Sequence, residues 1–466
     1  MNITTESGVK KRPLESGRNY GEVISLLASK SQIEYSEEVL KRTKALDALF
    51  DHVSRKTDVI LIGGSNGKSS SANLTAKLLK KEGFKVGVAY SSHFLTYNER
   101  LAVDGQQINN RDFTDVVDKV LTEAELNKIN ATAFEIMTIA SLLYASQEKA
   151  EVIVLEVGIG GRYDATAICN PKIMALTRVA DGHSDVLGDD LDEVAGEIMA
   201  AAKPGTWFIS SEQSKLRLQK MKVFASKQDI KWAMPIRKLA SLPYIYEQLY
   251  GRVASLGERV AQLYVEEIKG DFSPFLRGNL LATKRGQRGR PTLEAKRNAE
   301  LNPIKSLQEF WRDDFELMRG RFELLDKEKP TVLIDNAQNL DALENLFLGI
   351  RLLHYQKPLR GLALVLGLKK TVDAVATLKV VRYLMKKVSG QLFFAPLPGN
   401  VDSYSTDDLV KIAHGFNLNA KGYNSIEQAF DVAKKTVDDR YGLVCLTGSP
   451  DVPSVYWRSI REMKKF

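Results

Sequence analysis

The sequence has little cysteine. Only two cysteines, Cys169 and Cys445, occur in 466 residues, and they lie far apart along the chain. This scarcity argues against a disulfide-stapled scaffold and against a cysteine-ligated zinc site. It is typical of proteins that work in a reducing compartment, so we expect a cytoplasmic protein.

Long apolar runs are also missing. No run approaches the ~18 residues that a membrane-spanning helix requires. The first twenty residues, MNITTESGVKKRPLESGRNY, have no apolar stretch behind their charges and do not resemble a secretory signal. With 44% hydrophobic and 27% charged residues, the composition is typical of a soluble globular protein. We therefore expect no membrane partner.

The densest cluster of basic residues has no aromatic residues among them. The net charge is +8, and the run 284-KRGQRGRPTLEAKR-297 contains no aromatic side chain on which a nucleic-acid base could stack. A basic balance also suits proteins that handle polyanionic small molecules. We therefore expect small-molecule substrates such as nucleotides, and no nucleic acid.

The chain does contain a regular alternation of short β-branched runs with helical patterns, which predicts an α/β fold with parallel sheets. The first series has helices at 111–126 and 134–146 and strands at 58–63, 85–90, 151–157, 172–179 and 207–211. The second series has strands at 331–335, 361–367, 391–395 and 442–448 and helices from about residue 340, at 372–387, 405–415 and 425–435, and after the last strand. A polar segment around 277–305 separates the two series, so we predict domains at 1–315 and 316–466.

One turn carries a chemical signal. An apolar strand runs into Ser-Asn-Gly-Lys-Ser-Ser, residues 65–70, and a helical pattern follows. Such a loop directs unpaired backbone N–H groups and the positive end of a helix dipole at an anion. Lys68 would add a charge on the terminal phosphates, and Ser69 or Ser70 a hydroxyl for Mg²⁺. The full P-loop pattern fails because Ile62 stands where a glycine is required, and the alternative is a tight turn with an incidental lysine.

The shorter loop, 64-GSNGKSSSAN-73, resembles the Gly-Thr-Asn-Gly-Lys-Gly-Ser loop of folylpolyglutamate synthases and dihydrofolate synthases, members of the Mur ligase superfamily. The resemblance continues in register along nearly the whole chain. Its further segments are 91-SSHFLTYNERLAVDGQQI-108, 134-FEIMT-138, 155-LEVGIGGRYDAT-166, 319-RGRFELL-325, 335-DNAQN-339 and 447-TGS-449. Together these matches are specific, whereas any one of them alone would be weak.

The resemblance implies an N-terminal P-loop ATPase domain of the Mur ligase central type, with a parallel sheet, and a smaller C-terminal Rossmann-like domain. It also implies a monomeric ligase, with ATP and Mg²⁺ as cofactors, that adds L-glutamate to dihydropteroate, to folate or to both. A carboxylate must first be activated as an acyl phosphate before an amine can displace phosphate and form the amide. The work of the protein is therefore to position the groups and to neutralise charge.

The resemblance also assigns residues to the site. The nucleotide-binding residues that it implies are Gly64, Ser65, Asn66, Gly67, Lys68, Ser69 and Ser70, together with Arg321, Asp335 and Gln338 from the second domain, across a cleft that closes. Lys68, Glu156 and His183 are the implied catalytic residues, and Ser70, Glu156 and His183 the implied Mg²⁺ ligands. Glu156 ends an apolar predicted strand, where open α/β sheets bind their ligands. His183 could instead be a loop histidine with a structural hydrogen bond, and Arg162 and Asp164 a salt-bridged turn without chemistry.

Several positions depart from the family pattern. Ile198 stands where the family has a lysine that is carbamylated and helps to bind a second metal ion, and Lys203 aligns only with a later position. Gln338 replaces a histidine, which keeps a hydrogen bond but loses a titratable cation. The family's adenine-binding segment is not recognisable around residues 276–289. Its glutamate-placing Asp-Lys-Asp finds only 367-GLKKTVD-373.

Three functions follow from this pattern. The first is a ligase of the folate type, which the Asn-Glu-Arg and Gly-Gly-Arg-Tyr-Asp matches favour. The second is a ligase of the same architecture with a different acid or amino acid, including a muramoyl precursor. The third is a nucleotide-binding paralogue whose catalysis is impaired, which Ile198 and Gln338 motivate. A P-loop kinase or GTPase is disfavoured, because Ile62 breaks its loop and no guanine-reading Asn-Lys-x-Asp motif occurs.

Overall fold

The computed structural model describes residues 17–180, 184–277, 307–399 and 402–461. The strands in these ranges are β1 (Asp58–Gly63), β2 (Val86–Ala89), β3 (Leu101–Val103), β4 (Gln106–Gln107), β5 (Val152–Glu156), β6 (Ile173–Leu176), β7 (Trp207–Ser210), β8 (Lys231–Trp232), β9 (Glu323–Leu325), β10 (Thr331–Ile334), β11 (Leu362–Leu366), β12 (Gly390–Phe394), β13 (Ala420–Gly422) and β14 (Leu443–Thr447). The α-helices are α1 (Tyr20–Ser29), α2 (Glu37–Leu49), α3 (Lys68–Lys81), α4 (Asn110–Leu126), α5 (Ala133–Gln147), α6 (Ser184–Leu187), α7 (Leu191–Met199), α8 (Lys215–Lys227), α9 (Tyr244–Leu263), α10 (Pro274–Arg277), α11 (Leu307–Asp314), α12 (Leu340–Gln356), α13 (Ala374–Met385), α14 (Thr406–Gly415), α15 (Ile426–Lys434) and α16 (Asp451–Val455). Short 3₁₀ helices span Val53–Arg55, Tyr97–Arg100 and Ala165–Ile168, and π-helical segments span Tyr264–Ile268 and Tyr456–Arg461.

The described strands form two sheets. The first sheet has eight strands in the order β4-β3-β2-β5-β1-β6-β7-β8, and the second has six in the order β13-β12-β11-β14-β10-β9. In the first sheet the neighbouring strands β2, β5, β1, β6, β7 and β8 run parallel, and in the second sheet β13, β12, β11, β14 and β10 run parallel. The predicted α/β class is therefore confirmed, and each predicted strand and helix is present with ends that shift by a few residues. The predicted domain boundary after residue 315 falls between the two sheets and stays a prediction.

Three antiparallel strands were not predicted, and two of them, β4 and β9, lie at sheet edges. β3 pairs with β2 and β4 pairs with β3, while β9 pairs with β10. The β3–β4 hairpin turns through Asp104 and Gly105, whose φ values of 51° and 75° fit a two-residue type I′ turn. Asp-Gly is a dipeptide that favours this turn, so the sequence does carry the signal.

The strand order opens a crevice beside β1. On one side of β1 lie β5 and then β2, and on its other side lie β6, β7 and β8 in turn. The strand order therefore changes direction at β1. The parallel register pairs Ile62 with Glu156 and Gly63 with Leu176, so β1, β5 and β6 end at the same level. The loops that leave these three ends diverge, and open α/β sheets bind their ligands at such a point.

Helix α9 joins the two halves of the molecule. It packs along α3, and the two backbones approach closely at Gly257, where an added Cβ would lie 3.3 Å from the backbone nitrogen of Thr75. The same helix contacts α12 of the second half. A second connection runs the other way, since Phe94 of the first half is buried in an apolar cluster with Val332, Leu446 and Tyr456.

Both cysteines are free and buried. Cys169 follows the 3₁₀ helix Ala165–Ile168, and Cys445 lies in β14. Each is fully shielded from solvent, and burial raises the pKa of both thiols. Among the described residues, no helix is both long and apolar enough to cross a membrane.

Candidate active site

The loop between β1 and α3 is held in a conformation that needs glycine. Gly64 has a φ of 130° and Gly67, the residue before α3, a φ of 84°. An added Cβ at Gly64 would lie 2.1 Å from Oγ1 of Thr177, which is far inside van der Waals contact. The N–H of Ser65 donates to the carbonyl of Arg178 at 2.7 Å, and these contacts tie the loop to the end of β6.

Lys68 opens α3 and lines a cavity of about 1130 Å³ at the carboxyl ends of β1, β5 and β6. Its Nζ donates to the carbonyl of Gly64 at 2.9 Å. Burial lowers the pKa of the Lys68 ammonium, while the nearby charges of Glu156 and Asp164 raise it and that of Arg321 lowers it. The ammonium is thus poorly hydrated and turned toward the loop, where an anionic phosphate would be a stronger acceptor than the carbonyl.

Two of the predicted metal ligands lie in the same cavity. Glu156 ends β5 and is only 5% exposed, and its carboxylate accepts from the N–H of Ser91 at 3.3 Å. Ser70 lies in the first turn of α3 and is 4% exposed. The third predicted ligand, His183, lies outside the described residues. In the ranges that are described, no group of three or more His, Cys, Asp or Glu side chains is placed to hold a metal ion.

Asp164 and Arg162 do not form the salt-bridged turn that was one reading of the sequence. The Asp164 carboxylate accepts from the N–H groups of Gly158 and Ile159, at 3.0 and 3.1 Å, and from Thr166. Arg162 pairs instead with Glu197 at 2.8 Å. Asp164 therefore fixes the loop that follows β5, directly after Glu156, and burial raises the pKa of its carboxyl group.

The second half of the molecule brings three predicted residues to the cavity. Arg321 donates to Oδ1 of Asn336 at 2.6 Å and, across the cleft, to Oγ of Ser69 at 3.3 Å. Asp335, at the end of β10, uses both carboxylate oxygens on backbone N–H groups of its own domain. Burial raises the pKa of Asp335 to about 6. Gln338 is exposed at the cavity wall.

Four residues join the loop between β1 and α3, which we call the phosphate loop, to the start of α12. We call these four residues the interdomain clasp: Asn66, Arg178, Asn339 and Asp341. The Asn66 and Asn339 amides exchange two hydrogen bonds of 3.1 Å, and the Asn66 amide also donates to Asp341 at 2.7 Å. The other oxygen of Asp341 lies 2.7 Å from Nη2 of Arg178. Of these four, only Asn66 was predicted from the sequence as a site residue. A charged residue just beyond a buried strand was the one available signal for Arg178.

A neutral histidine lines another part of the cavity wall. Nδ1 of His93 accepts from Nε of Arg100 at 3.0 Å, which requires the proton on Nε2. Burial, and then the charges of Arg100 and Arg458, lower the pKa of His93 to about 3. His93 lies in a segment that matches the family, but no role for it was predicted from the sequence.

The residues that depart from the family pattern differ in whether they line the cavity. Ile198 is 3% exposed and packs under the end of β1, where an added Cβ at Gly63 would lie 2.7 Å from its Cγ2. Lys203 is half-buried, and the titratable groups that influence it are Lys44 and Cys169, so it does not replace the missing lysine in the cavity. Lys369 does line the cavity, whereas Lys370 pairs with Asp402 at 2.8 Å. Most of segment 276–289 lies outside the described residues.

Comparison with protein families matches residues 62–231 to the Mur ligase middle domain. The dihydrofolate synthase/folylpolyglutamate synthase of Bacillus subtilis is 27% identical over 321 residues, which cover 66% of this chain and 70% of that protein. The protein of the same description from Escherichia coli is 27% identical over 380 residues, which cover 80% of each chain.

Solved structures share the whole architecture. Escherichia coli FolC in complex with DHPP and ADP has a TM-score of 0.70 at 22% identity, covering 96% of this chain and 99% of that one. Mycobacterium tuberculosis folylpolyglutamate synthase complexed with ADP has a TM-score of 0.73 at 20% identity, covering 95% and 98%. A bifunctional folylpolyglutamate synthase/dihydrofolate synthase with Mn, AMPPNP and L-glutamate bound has a TM-score of 0.70 at 20% identity, covering 96% and 100%. At these identities the likeness establishes the fold.

Proposed function

Because the chain belongs to the folylpolyglutamate synthase and dihydrofolate synthase family of the Mur ligase superfamily, we propose that it is an ATP-dependent ligase that adds L-glutamate to dihydropteroate, to folate or to both. The observation that carries this proposal is the cavity at the ends of β1, β5 and β6. It contains Lys68 of the glycine-rich loop, the buried Glu156 and, from across the cleft, Arg321. These are the groups that a phosphoryl transfer from ATP to a carboxylate requires.

The residues divide the work as follows. The loop N–H groups and the Lys68 ammonium bind the phosphates, and Arg321 approaches the same point from the second domain. The γ-phosphoryl group moves to the acceptor carboxylate, giving an acyl phosphate and ADP. The glutamate amine then attacks the acyl carbon, phosphate leaves, and the amide forms. Positive charge held in place near the moving phosphoryl group lowers the barrier because it needs no reorganisation during the reaction.

The donors present fit a magnesium ion. Ser70 offers a hydroxyl and Glu156 a carboxylate, both nearly buried at the cavity wall. Mg²⁺ takes oxygen ligands and usually binds through one or two protein groups, with water and nucleotide phosphate completing its shell. When bound, it would neutralise charge on the phosphates. His183 remains a predicted third ligand, and the Mn ion bound by the folylpolyglutamate synthase/dihydrofolate synthase of Yersinia pestis supports a divalent cation here.

Ile198 favours the alternative of a catalytically impaired paralogue. The side chain fills the space under β1 and brings no charged group to the cavity, so the family's carbamylated lysine has no replacement at this position. A ligase for another acid or amino acid remains the second alternative, since the residues that place glutamate in the family are altered. The monomeric state and cytoplasmic location stay predictions, and the two free thiols fit the second of these.

We predict that turnover depends on Lys68. With MgATP and L-glutamate, we expect phosphate release that depends on added dihydropteroate or tetrahydrofolate, and we expect Lys68→Ala to lower its rate about 100-fold or more. Lys81→Ala is the matched control, because Lys81 is an exposed lysine at the opposite end of the same helix.

The other outcomes identify the alternatives. A muramoyl peptide that is accepted better than either pterin would make the chain a ligase of another substrate class. ATP binding without phosphate release from any combination would mean that the changes at Ile198 and Gln338 have abolished catalysis.

A further inference from the structure

The interdomain clasp connects parts of the chain that are far apart in sequence. It links a loop that binds phosphate to the first turn of a helix that is more than 270 residues later in the chain, since Asn66 bonds to Asn339 and Asp341 with separations of 273 and 275 residues. Within the clasp, Asp341 is the shared acceptor, because one oxygen faces Asn66 and the other Arg178. The single carboxylate of Asp341 therefore holds two residues of the first domain, Asn66 and Arg178.

Arg178 is fixed to the phosphate loop through its backbone. Its carbonyl accepts from the N–H of Ser65, and Gly64 is so close that an added Cβ would lie 3.0 Å from the same carbonyl oxygen. The Arg178 side chain is 60% exposed, whereas the Asp341 side chain is 16% exposed. The pair therefore connects the loop itself, and not only the surface around it, to the start of α12.

The clasp also sets the position of other second-domain groups. Asp341 lies in the first turn of α12, and the segment just before that helix contains Asn336 and Gln338. Asn336 in turn accepts from Arg321, which reaches Ser69 on α3. A shift of the first turn of α12 would move this whole segment relative to the phosphate loop.

We propose that Arg178 and Asp341 are positioning residues, which hold the second domain closed over the phosphate loop so that Arg321 and Gln338 face the bound nucleotide. The role of the pair in turnover rests on the proposed function. Its role in holding the domains together does not, because that role is a property of the free protein. The energy of one partly exposed ion pair is small, so its effect lies in the geometry of the closed state rather than in overall stability.

The test reverses each charge and then exchanges them. We expect Arg178→Asp and Asp341→Arg each to lower the maximal rate of phosphate release by about three- to tenfold, and the double exchange to recover most of that loss. Asp341→Asn is a milder variant, since its amide oxygen can still accept from Asn66 while the charge is lost. Reversal of the exposed Glu38–Lys41 pair on α2 is the matched control and should leave the rate unchanged.

Small-angle X-ray scattering of the same variants without nucleotide gives a readout that does not depend on activity. We expect the two single reversals to increase the radius of gyration and the exchange to restore it. If Arg178 acts only by contacting nucleotide, Arg178→Asp will weaken ATP binding, Asp341→Arg will not, and the exchange will recover nothing, which would overturn the proposal. Unchanged scattering and rate in both single variants would overturn it as well.

The ligase function and the role of the Arg178–Asp341 pair can each fail without the other. If scattering follows the charge pattern but no pterin supports phosphate release in any variant, the proposed function fails and the clasp stands. If release depends on a pterin but the exchange recovers neither rate nor dimensions, the function stands and the clasp fails.

Discussion

At the scale of single residues, the cavity keeps one histidine neutral. His93 lies against Arg100, with Arg458 near, and it accepts a hydrogen bond through Nδ1. Protonation would place a third positive charge in a poorly hydrated space, which is why its pKa falls to about 3. His93 therefore offers a hydrogen-bond donor at Nε2 without adding charge.

We predict that the imidazole of His93 does not titrate between pH 5 and pH 8. Nitrogen chemical shifts measured by NMR would show this, and His93→Gln would assign the signal among the five histidines of the chain. The unfolded chain takes up a proton at this residue near pH 6.5 while the folded chain does not, so this group costs stability progressively as the pH falls below that value. A midpoint between pH 6 and 7 for the assigned signal would contradict the prediction.

The residues that sequence reasoning could find are those with a local signature. Lys68 and Ser70 follow a strand and a glycine turn, and Glu156 ends an apolar strand. The neighbouring residues in sequence therefore predict where each of these side chains lies in the fold. Asp341 has no such signature and Arg178 has only its charge after a buried strand, because the importance of both depends on where two distant segments meet. The environment of Ile198, packed under β1, was likewise invisible from its neighbours in sequence.

At the scale of elements, the loop from β1 to α3 is the part most constrained by space. Gly64 combines a φ of 130° with a neighbour, Oγ1 of Thr177, that a Cβ would meet at 2.1 Å. Gly83, just after α3, has a φ of 94°, but nothing lies within 4 Å of an added Cβ. The two glycines thus separate the effect of backbone conformation from that of crowding.

We predict that Gly83→Ala lowers the free energy of unfolding by about 1–3 kcal/mol, the typical cost of a left-handed conformation in a residue with a side chain. Gly64→Ala should cost about a further 1–3 kcal/mol, because the crowded Thr177 must move. It should also weaken ATP binding, which Gly83→Ala should not. Urea unfolding and calorimetric titration with ATP measure the two effects, and equal losses in both variants would show that crowding at Gly64 is absent.

A helix or strand could be predicted where its own residues show a clear hydrophobic pattern. Buried central strands are continuous apolar runs, and this is how β1, β5, β11 and β14 were found. The short edge strands β4 and β8 have two residues each, too few for any periodicity. Helix α9 was not predicted, although its buried residues recur at helical spacing, as at Tyr250, Ala254, Gly257 and Ala261, so the sequence does carry this signal.

At the scale of the whole molecule, each half contributes to the other. Phe94 comes from the first half but is buried in the apolar cluster of the second, next to Gly320, whose added Cβ would lie 3.1 Å from the Phe94 ring. Close by, Arg458 of the C-terminal segment donates to the carbonyl of Leu95 at 3.0 Å. The loop that carries His93 is therefore held in place by the second domain.

We predict that Phe94→Ala lowers the stability of the second domain by about 3–5 kcal/mol and also lowers ATP turnover. Phe430→Ala is the matched control, since Phe430 is 2% exposed in the same cluster but belongs to α15 of the second domain itself. It should cost similar stability without disturbing the His93 loop. Urea unfolding followed by turnover measured at a temperature where both variants are folded would separate the effects, and full turnover in Phe94→Ala would show that the loop does not need this anchor.

The two native thiols have a practical consequence for studying this molecule in motion. Reagents that modify cysteine react with an accessible thiolate. Cys169 and Cys445 are both shielded, and their raised pKa values keep them protonated. A pair of fluorophores attached to cysteines introduced on either side of the cleft will therefore report on those sites alone, and the opening and closing of the cleft can be followed without first replacing either native cysteine.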